Sequence, residues 1–259
     1  MKTVAIIGYG HVGKAMHKVF PDAVLYDPSH GQSDKQIVNQ CDLAIICTPT
    51  PSKEDGSCDT SIVEETVSWL KTPLILIKST VPPGTTDLLK KKYKKRICMS
   101  PEYYGESNYW LPEEWSSVKG WPFIIIGGDK NDADEIAQLF VNVLGPKKTY
   151  ALTDAKTAEL TKYMENVWGA MKVTFANEFY QIAQTFGVSY IELRELWALD
   201  PRVEKLHTAV FDARGFGGKC FPKDLSALIQ STKKQGYEPE FLAAIEKSNR
   251  RFRKLNKKE

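Results

Sequence analysis

The most reactive-looking stretch of the chain is Gly215-Phe216-Gly217-Gly218-Lys219-Cys220-Phe221-Pro222-Lys223-Asp224. Glycines ahead of the cysteine let backbone N–H groups approach a ligand closely and take up positive φ. The run Leu225 to Gln235 reads as a helix, which places Cys220 near a helix N-terminus with Lys219 and Lys223 beside it. Both surroundings favour thiolate over thiol, so Cys220 is a candidate nucleophile. The plainer alternative is a turn around a buried, inert cysteine.

A second constellation lies at the other end. Thr3 to Ile7 is a short β-branched apolar run, followed by Gly8-Tyr9-Gly10-His11-Val12-Gly13 and helix-forming Lys14 to Phe20; the strand Ala23 to Tyr26 then ends at Asp27. Strand, G-x-G-x-x-G, helix, strand and acidic residue form the dinucleotide-binding fingerprint. Gly8 makes the turn, Gly10 admits a pyrophosphate and Gly13 allows close helix–strand packing. The helix N-terminus offers N–H groups to the phosphates. Asp27 would accept hydrogen bonds from the adenosine ribose and repel a 2′-phosphate, which points to NAD over NADP. Tyr9, His11 and Val12 complete the cofactor loop, and His11 has no catalytic role.

These residues need elements to hold them. Apolar runs at Leu43–Cys47, Leu74–Ile77, Ile97–Met99, Phe123–Ile126 and, more weakly, Lys147–Leu152 alternate with helical patterns at Ser61–Leu70, Thr85–Lys92 and Ala133–Leu144. Such alternation predicts a parallel, doubly wound sheet, with ligands beyond the carboxyl ends of its strands. Thr48-Pro49-Thr50-Pro51, Ser79 to Gly84 and Ser100-Pro101-Glu102 hang there. From about Asp154 to Phe186 runs an uninterrupted helical segment of roughly 50 Å, with Lys162 and Asn166 on one face; a solvated face is the default for such a pair. A capping box at Ser189–Glu192 opens the next helix, and helices near Leu225–Gln235 and Pro239–Lys254 follow. The expectation is an α/β chain: a Rossmann-type, doubly wound parallel sheet over residues 1–150, then an all-helical domain over 151–259 with one long spine helix and the cysteine.

Composition sets outer limits. The 259 residues, 42% hydrophobic and 26% charged, can bury one or two ordinary cores. The absence of an 18-residue apolar run and the immediate N-terminal strand predict no membrane span and no signal peptide. Cys41, Cys47, Cys58, Cys98 and Cys220 form no C-x-x-C pair, which suits a reducing, cytoplasmic compartment and offers no evident metal site; Cys41 and Cys47 read as core residues. A net charge of +3 is too small to argue for nucleic acid, and none is expected as a partner. The basic run Lys90–Arg96 reads as a solvated helix end, and Lys247–Lys258 as a frayed C-terminal helix.

Taken in order, the fingerprint, Thr48-Pro49-Thr50, Asp59-Thr60-Ser61, Lys78 to Thr85, Ser100-Pro101-Glu102, Lys162 with Asn166, Asn177-Glu178 and the Gly-rich cysteine motif resemble the UDP-glucose/GDP-mannose dehydrogenase family. The resemblance implies an NAD-dependent, four-electron oxidation of the C6 alcohol of a nucleotide sugar, UDP-glucose foremost, to a uronic acid. Cys220 would form a thiohemiacetal and then a thioester. Lys162 and Asn166 would stabilise the oxyanion, Asp224 and Glu102 would position or deprotonate water, and Thr80 would hold a water or hydroxyl near the nicotinamide. Thr48, Thr80, Glu102 and Lys223 would contact the cofactor, and Glu102, Tyr103, Tyr104, Lys162, Asn166, Arg214 and Gly217 the sugar nucleotide.

Three departures from the family pattern are visible. The family's third, carboxyl-terminal domain lies beyond the end of the sequence. Little room separates Asp27 from Cys41, and Tyr103-Tyr104-Gly105 replaces a Phe-Leu-(Arg/Lys) segment. A site shared between two subunits would offset the missing domain, so a homodimer is expected through the long helix, whose Val167, Trp168, Met171, Val173, Phe175 and Phe179 exceed what three short helices can cover. Two rival readings stay open: a 6-phosphogluconate or β-hydroxyacid-type dehydrogenase, which needs no cysteine, and a non-catalytic NAD-binding relative.

Overall fold

Apolar runs bounded by turn residues become the strands of one seven-stranded sheet in the computed structural model, which describes residues 2–103 and 117–255. The strands are β1 (Val4–Ile7), β2 (Val24–Tyr26), β3 (Leu43–Ile46), β4 (Leu74–Ile77), β5 (Ile97–Met99), β6 (Phe123–Gly127) and β7 (Thr149–Thr153). Their order is β2-β1-β3-β4-β5-β6-β7. Successive side chains along a strand point to opposite faces, and here both faces are covered. Ile6, Ile45, Leu76 and Cys98 enter one core, while Ala5, Ile7, Ala44, Ile46, Ile75 and Ile77 enter the other. The first core is closed by α1 (His11–Val19) and α5 (Lys130–Leu144) through Met16, Val19, Ile136 and Phe140; the second is closed by α3 (Ser61–Trp69) and α4 (Thr85–Tyr93) through Val63, Val67 and Leu89.

The sheet is not wholly parallel as expected. β6 runs antiparallel to β5, with Met99 opposite Gly127, and β7 is parallel to β6. A parallel neighbour requires a crossover element and an antiparallel one does not, and apolar runs alone do not fix which of the two applies. The short connection after Asp27 holds a single 3-10 turn, Pro28–His30, and the one-turn helix α2 (Lys35–Val38), which Asp34 caps. The basic run before β5 is only partly solvated: the Lys95 ammonium donates to the carbonyls of Val67, Ser68 and Leu70 at the end of α3, and Arg96 pairs with Asp132 and Glu135.

The chain divides into two compact units. The first comprises Met1–Pro51 and Cys58–Lys162, the second Ser52–Ser57 and Tyr163–Glu259. The long helix α6 (Ala155–Phe186) spans 32 residues, about 48 Å. The second unit continues through α7 (Tyr190–Trp197), α8 (Phe221–Lys234) and α9 (Glu240–Leu255). Ser189 caps α7 by accepting the Glu192 N–H at 3.4 Å, half of the expected capping box. Ala170, Phe216, Leu225, Ile229 and Ile245 form the core of this unit. The tail is not frayed through Leu255: Ile245, Asn249 and Phe252 of α9 are buried. Among the described residues no helix is long and apolar enough to cross a membrane.

The three fingerprint glycines serve different ends. A Cβ on Gly13 would stand 1.9 Å from the Gly8 carbonyl oxygen, whereas one on Gly10 would meet nothing within 4 Å. Gly13→Ala should therefore cost about 2 kcal/mol or more in urea unfolding, while Gly10→Val should melt like the parent yet lose NAD in calorimetry. Equal stability of the two variants would contradict this division of roles.

Candidate active site

In the first unit, the carboxyl ends of the parallel strands gather the predicted cofactor residues. β1 delivers Gly8 at φ +92, a conformation open to glycine, and a Cβ there would lie 2.7 Å from the Cys47 carbonyl oxygen. Gly10 then occupies the N-cap of α1 with no side-chain cap, and His11 and Val12 begin the helix, so its first N–H groups meet no capping side chain. Asp27, at the end of β2, accepts the Tyr9 N–H at 2.7 Å and the Ser29 N–H at 3.0 Å. Burial alone would raise its carboxyl, but hydrogen bonds from Ser29, Tyr9 and His30 outweigh this and hold it near 2, so it is anionic at neutral pH. At the end of β3, the Thr48 hydroxyl is buried without a hydrogen-bond partner. An open space at Gly10, uncapped helix amides and a charged Asp27 suit a pyrophosphate and a ribose; the residues fit NAD.

The loop after β4 is laced to that after β3. Ser79 donates to the Thr48 carbonyl at 2.7 Å, and Thr50 donates to the Thr80 carbonyl at 2.8 Å. Lys78 is 2% exposed, and its ammonium donates to Ser100 Oγ at 3.2 Å and the Pro101 carbonyl at 3.0 Å, fixing the turn that presents Glu102. Burial pulls Lys78 down to about 8, against the attraction of Glu102 and Cys47, and Lys162 lowers it further by like-charge repulsion. Lys162 is buried, with its ammonium 5.2 Å from the centre of the Tyr103 ring. On the same helix, the fully buried Glu159 accepts the N–H groups of Gly84 and Thr86 and the Thr86 hydroxyl, which ties the Thr80 loop and the start of α4 to α6. Tyr104 lies outside the described residues.

The second unit assembles the cysteine motif. The helix α8 begins at Phe221, four residues before the expected start, because Pro222 fits the first helical turn and does not break it. Cys220 is consequently the N-cap residue itself, exposed, and its carbonyl accepts the Asp224 N–H at 2.9 Å. Asp224 is 1% exposed; its carboxylate accepts the Asn166 amide and pairs with Lys223. The solvated face expected for α6 is thus overturned: Lys162 and Asn166 are both buried. Gly217 lies exposed beside the Arg253 guanidinium, and Arg214 stacks over Tyr180 at 3.8 Å.

Three residues that had no role assigned from the sequence position the cysteine loop. Asn249 of α9 accepts the Phe216 N–H at 2.7 Å and donates to the Phe216 carbonyl at 3.0 Å; Asn177 of α6 accepts the Gly215 N–H at 3.0 Å. Together they clamp the loop before Cys220. Gly169 admits the Phe221 ring against α6, where a Cβ would stand 2.5 Å from it. Asn177 stands in the family pattern without a role attached; for the other two the only signal was an asparagine interrupting an apolar stripe and a glycine inside a helix.

A Rossmann-type dinucleotide-binding unit followed by a helical unit with an exposed cysteine defines a nicotinamide-dependent dehydrogenase scaffold. The chain belongs to the UDP-glucose/GDP-mannose dehydrogenase family: the family's NAD-binding domain matches residues 29–144 and its central domain residues 156–251. A UDP-glucose 6-dehydrogenase of Pseudomonas aeruginosa is 29% identical over 248 residues, covering 88% of this chain and 51% of the relative. A UDP-N-acetyl-D-mannosamine dehydrogenase of Methanocaldococcus jannaschii is 34% identical over 206 residues, covering 75% and 46%. The chain thus spans about half the length of the curated relatives it matches. Among solved structures, a UDP-glucose dehydrogenase from Pyrobaculum islandicum aligns with a TM-score of 0.78 at 26% identity, over 98% of this chain and 68% of that one.

Lys78 gives this site a pH signature. Its folded value of about 8 lies below the ordinary 10.5, so between those limits the unfolded chain holds a proton that the folded chain has lost. Stability relative to Lys78→Met should rise with pH across that window, by at most about 3 kcal/mol, and stay level at its low value below it. Urea unfolding of both proteins at several pH values measures this; a constant difference would refute it.

Proposed function

We propose that this chain carries the cofactor-binding and cysteine-bearing parts of an enzyme that oxidises the C6 alcohol of a UDP-sugar, UDP-glucose to UDP-glucuronate, through a cysteine thioester. The observation that supports this most is Cys220, the one exposed cysteine of the five, at the N-cap of α8 and one helical turn from the buried Asn166–Asp224 pair, to which Lys223 is joined. NAD, when bound, supplies the capacity to accept hydride, twice for each acid formed. The rest falls to side chains. Cys220 adds as thiolate to the C6 aldehyde, forming a C–S bond and an oxyanion that the Asn166 amide and the Lys162 ammonium stabilise. Oxidation of that thiohemiacetal leaves a thioester. Water held by Asp224 and Glu102 adds to it, and Cys220 departs as thiolate, favoured by the start of α8. Thr80 orients the alcohol, Thr48 and Lys223 flank the cofactor, and Tyr103 and Gly217 contact the sugar nucleotide.

The protein incubated with NAD and a panel of nucleotide sugars should form two NADH per uronic acid, with UDP-glucose preferred. Cys220→Ser should abolish acid formation, a loss of more than about a thousandfold, and bind NAD as the parent does. One NADH per product, unaffected by that change, would support the β-hydroxyacid-type reaction instead. NAD binding without NADH from any sugar would support a non-catalytic relative.

The same reading proposes a homodimer through α6, with Arg214 serving the partner's substrate. Val167, Met171 and Val173 pack on the unit's own core, so the outward stripe is instead Trp168, Phe175, Phe179, Ile182 and Phe186, continued by Ile191, Leu196 and Trp197 of α7. An exposed apolar surface of this extent on a single chain is a docking face. Light scattering should give twice the chain mass at micromolar concentration, and Phe175→Glu with Phe179→Glu should halve it; a monomer in the parent would refute the pairing.

A further inference from the structure

The loop after β2 holds an ionisable neighbour that the dinucleotide fingerprint does not require. Asp27 closes this loop on itself: its N–H donates to the Gln32 carbonyl at 2.7 Å, and the Gln32 N–H returns to the Asp27 carbonyl at 3.1 Å. Between them, the 3-10 turn and Gly31 at φ +76 fold His30 back. His30 Nδ1 stands 3.4 Å from Asp27 Oδ2 and 3.1 Å from Ser29 Oγ, and its ring lies edge-on to Tyr9 at 6.0 Å. Asp27 Oδ1 is occupied by Ser29, so Oδ2, the oxygen shared with Tyr9 N–H, is the one that His30 faces.

We propose that His30 sets the selectivity of this unit between NAD and NADP: neutral, it leaves the Asp27 charge to repel a 2′-phosphate; protonated, it cancels that charge and offers a cation where the phosphate would sit. Histidine is the side chain whose charge changes between about pH 5 and 8. Asp27 stays anionic throughout that range, so the pair's net charge is decided by His30. The other ionisable groups around it, Tyr9, Lys14 and His17, are the same in the parent and in a His30 variant, so they cancel in that comparison. Lys14 stands 5.8 Å from the Tyr9 ring. His17, behind the same ring, is engaged with Tyr9 Oη and the Pro21 carbonyl, both at 3.0 Å. His30 is about half exposed and supports no core, so its replacement leaves the fold intact.

Calorimetric titration of NAD and NADP into the parent chain, His30→Gln and His30→Lys tests this without any turnover. A phosphate monoester itself titrates near pH 6, so the quantity that decides is the difference between parent and His30→Gln. The ratio of NADP to NAD dissociation constants should fall at least about tenfold more in the parent than in His30→Gln between about pH 8 and pH 5.5. His30→Lys, a fixed cation, should already show the lowered ratio at the higher pH. Equal falls in parent and His30→Gln, or an unchanged ratio in His30→Lys, would overturn the assignment while leaving NAD as cofactor. Failure of NAD to bind at any pH would overturn both.

Discussion

Buried charge must be answered by a partner, and α6 carries three polar groups on one stripe that have no access to water. Glu159, Lys162 and Asn166 follow at i, i+3 and i+7, each at most 6% exposed. An isolated ion in that position costs several kcal/mol. Each group therefore fixes whatever answers it. Glu159 holds the Gly84–Thr86 corner and with it the loop that bears Thr80. Lys162 lies over Tyr103, next to Glu102 in the chain. Asn166 takes the Asp224 carboxylate, which sits in the first turn of the helix capped by Cys220. Burial pushes Glu159 up to about 7 even though three hydrogen bonds favour its charged form, a measure of how dry this stripe is.

The cysteine loop follows the same logic with backbone in place of charge. Gly215, Phe216 and Gly217 have no regular secondary structure to satisfy their amides, and a segment of that kind holds one shape only if side chains replace the missing ladder. Asn177 and Asn249 do so from two different helices. Gly215 also has to be glycine: at φ +72, a Cβ would stand 2.4 Å from the Asn249 oxygen that organises the loop. Residues far apart in sequence thus converge on one short turn.

Much of this could be read without coordinates, for a physical reason. Doubly wound strands are buried on both faces, so β1, β3 and β4 appear as unbroken apolar runs, and the fingerprint glycines have spacing dictated by the cofactor. The spine helix was legible from the lack of any proline over its length. What escaped was set by tertiary partners. The direction of β6 depends on its connection, and the burial of Lys162 depends on Tyr103. The start of α8 was misplaced because Pro222 reads as a breaker in sequence but is tolerated in a first turn. Lys78 gave no local sign of its role, since a lysine after an apolar strand ordinarily reaches solvent.

The five cysteines also divide the molecule by accessibility to electrophiles. Cys41, Cys47, Cys58 and Cys98 lie within the first unit at 8% exposure or less, and burial drives Cys47 and Cys98 to about 12, leaving almost no thiolate at neutral pH. Cys220 alone meets solvent. Alkylating agents and disulfides arriving from outside therefore find one thiol. The exposure that the proposed covalent chemistry requires of Cys220 also makes it the first thiol to be lost under oxidative stress, with the sheet's own thiols spared.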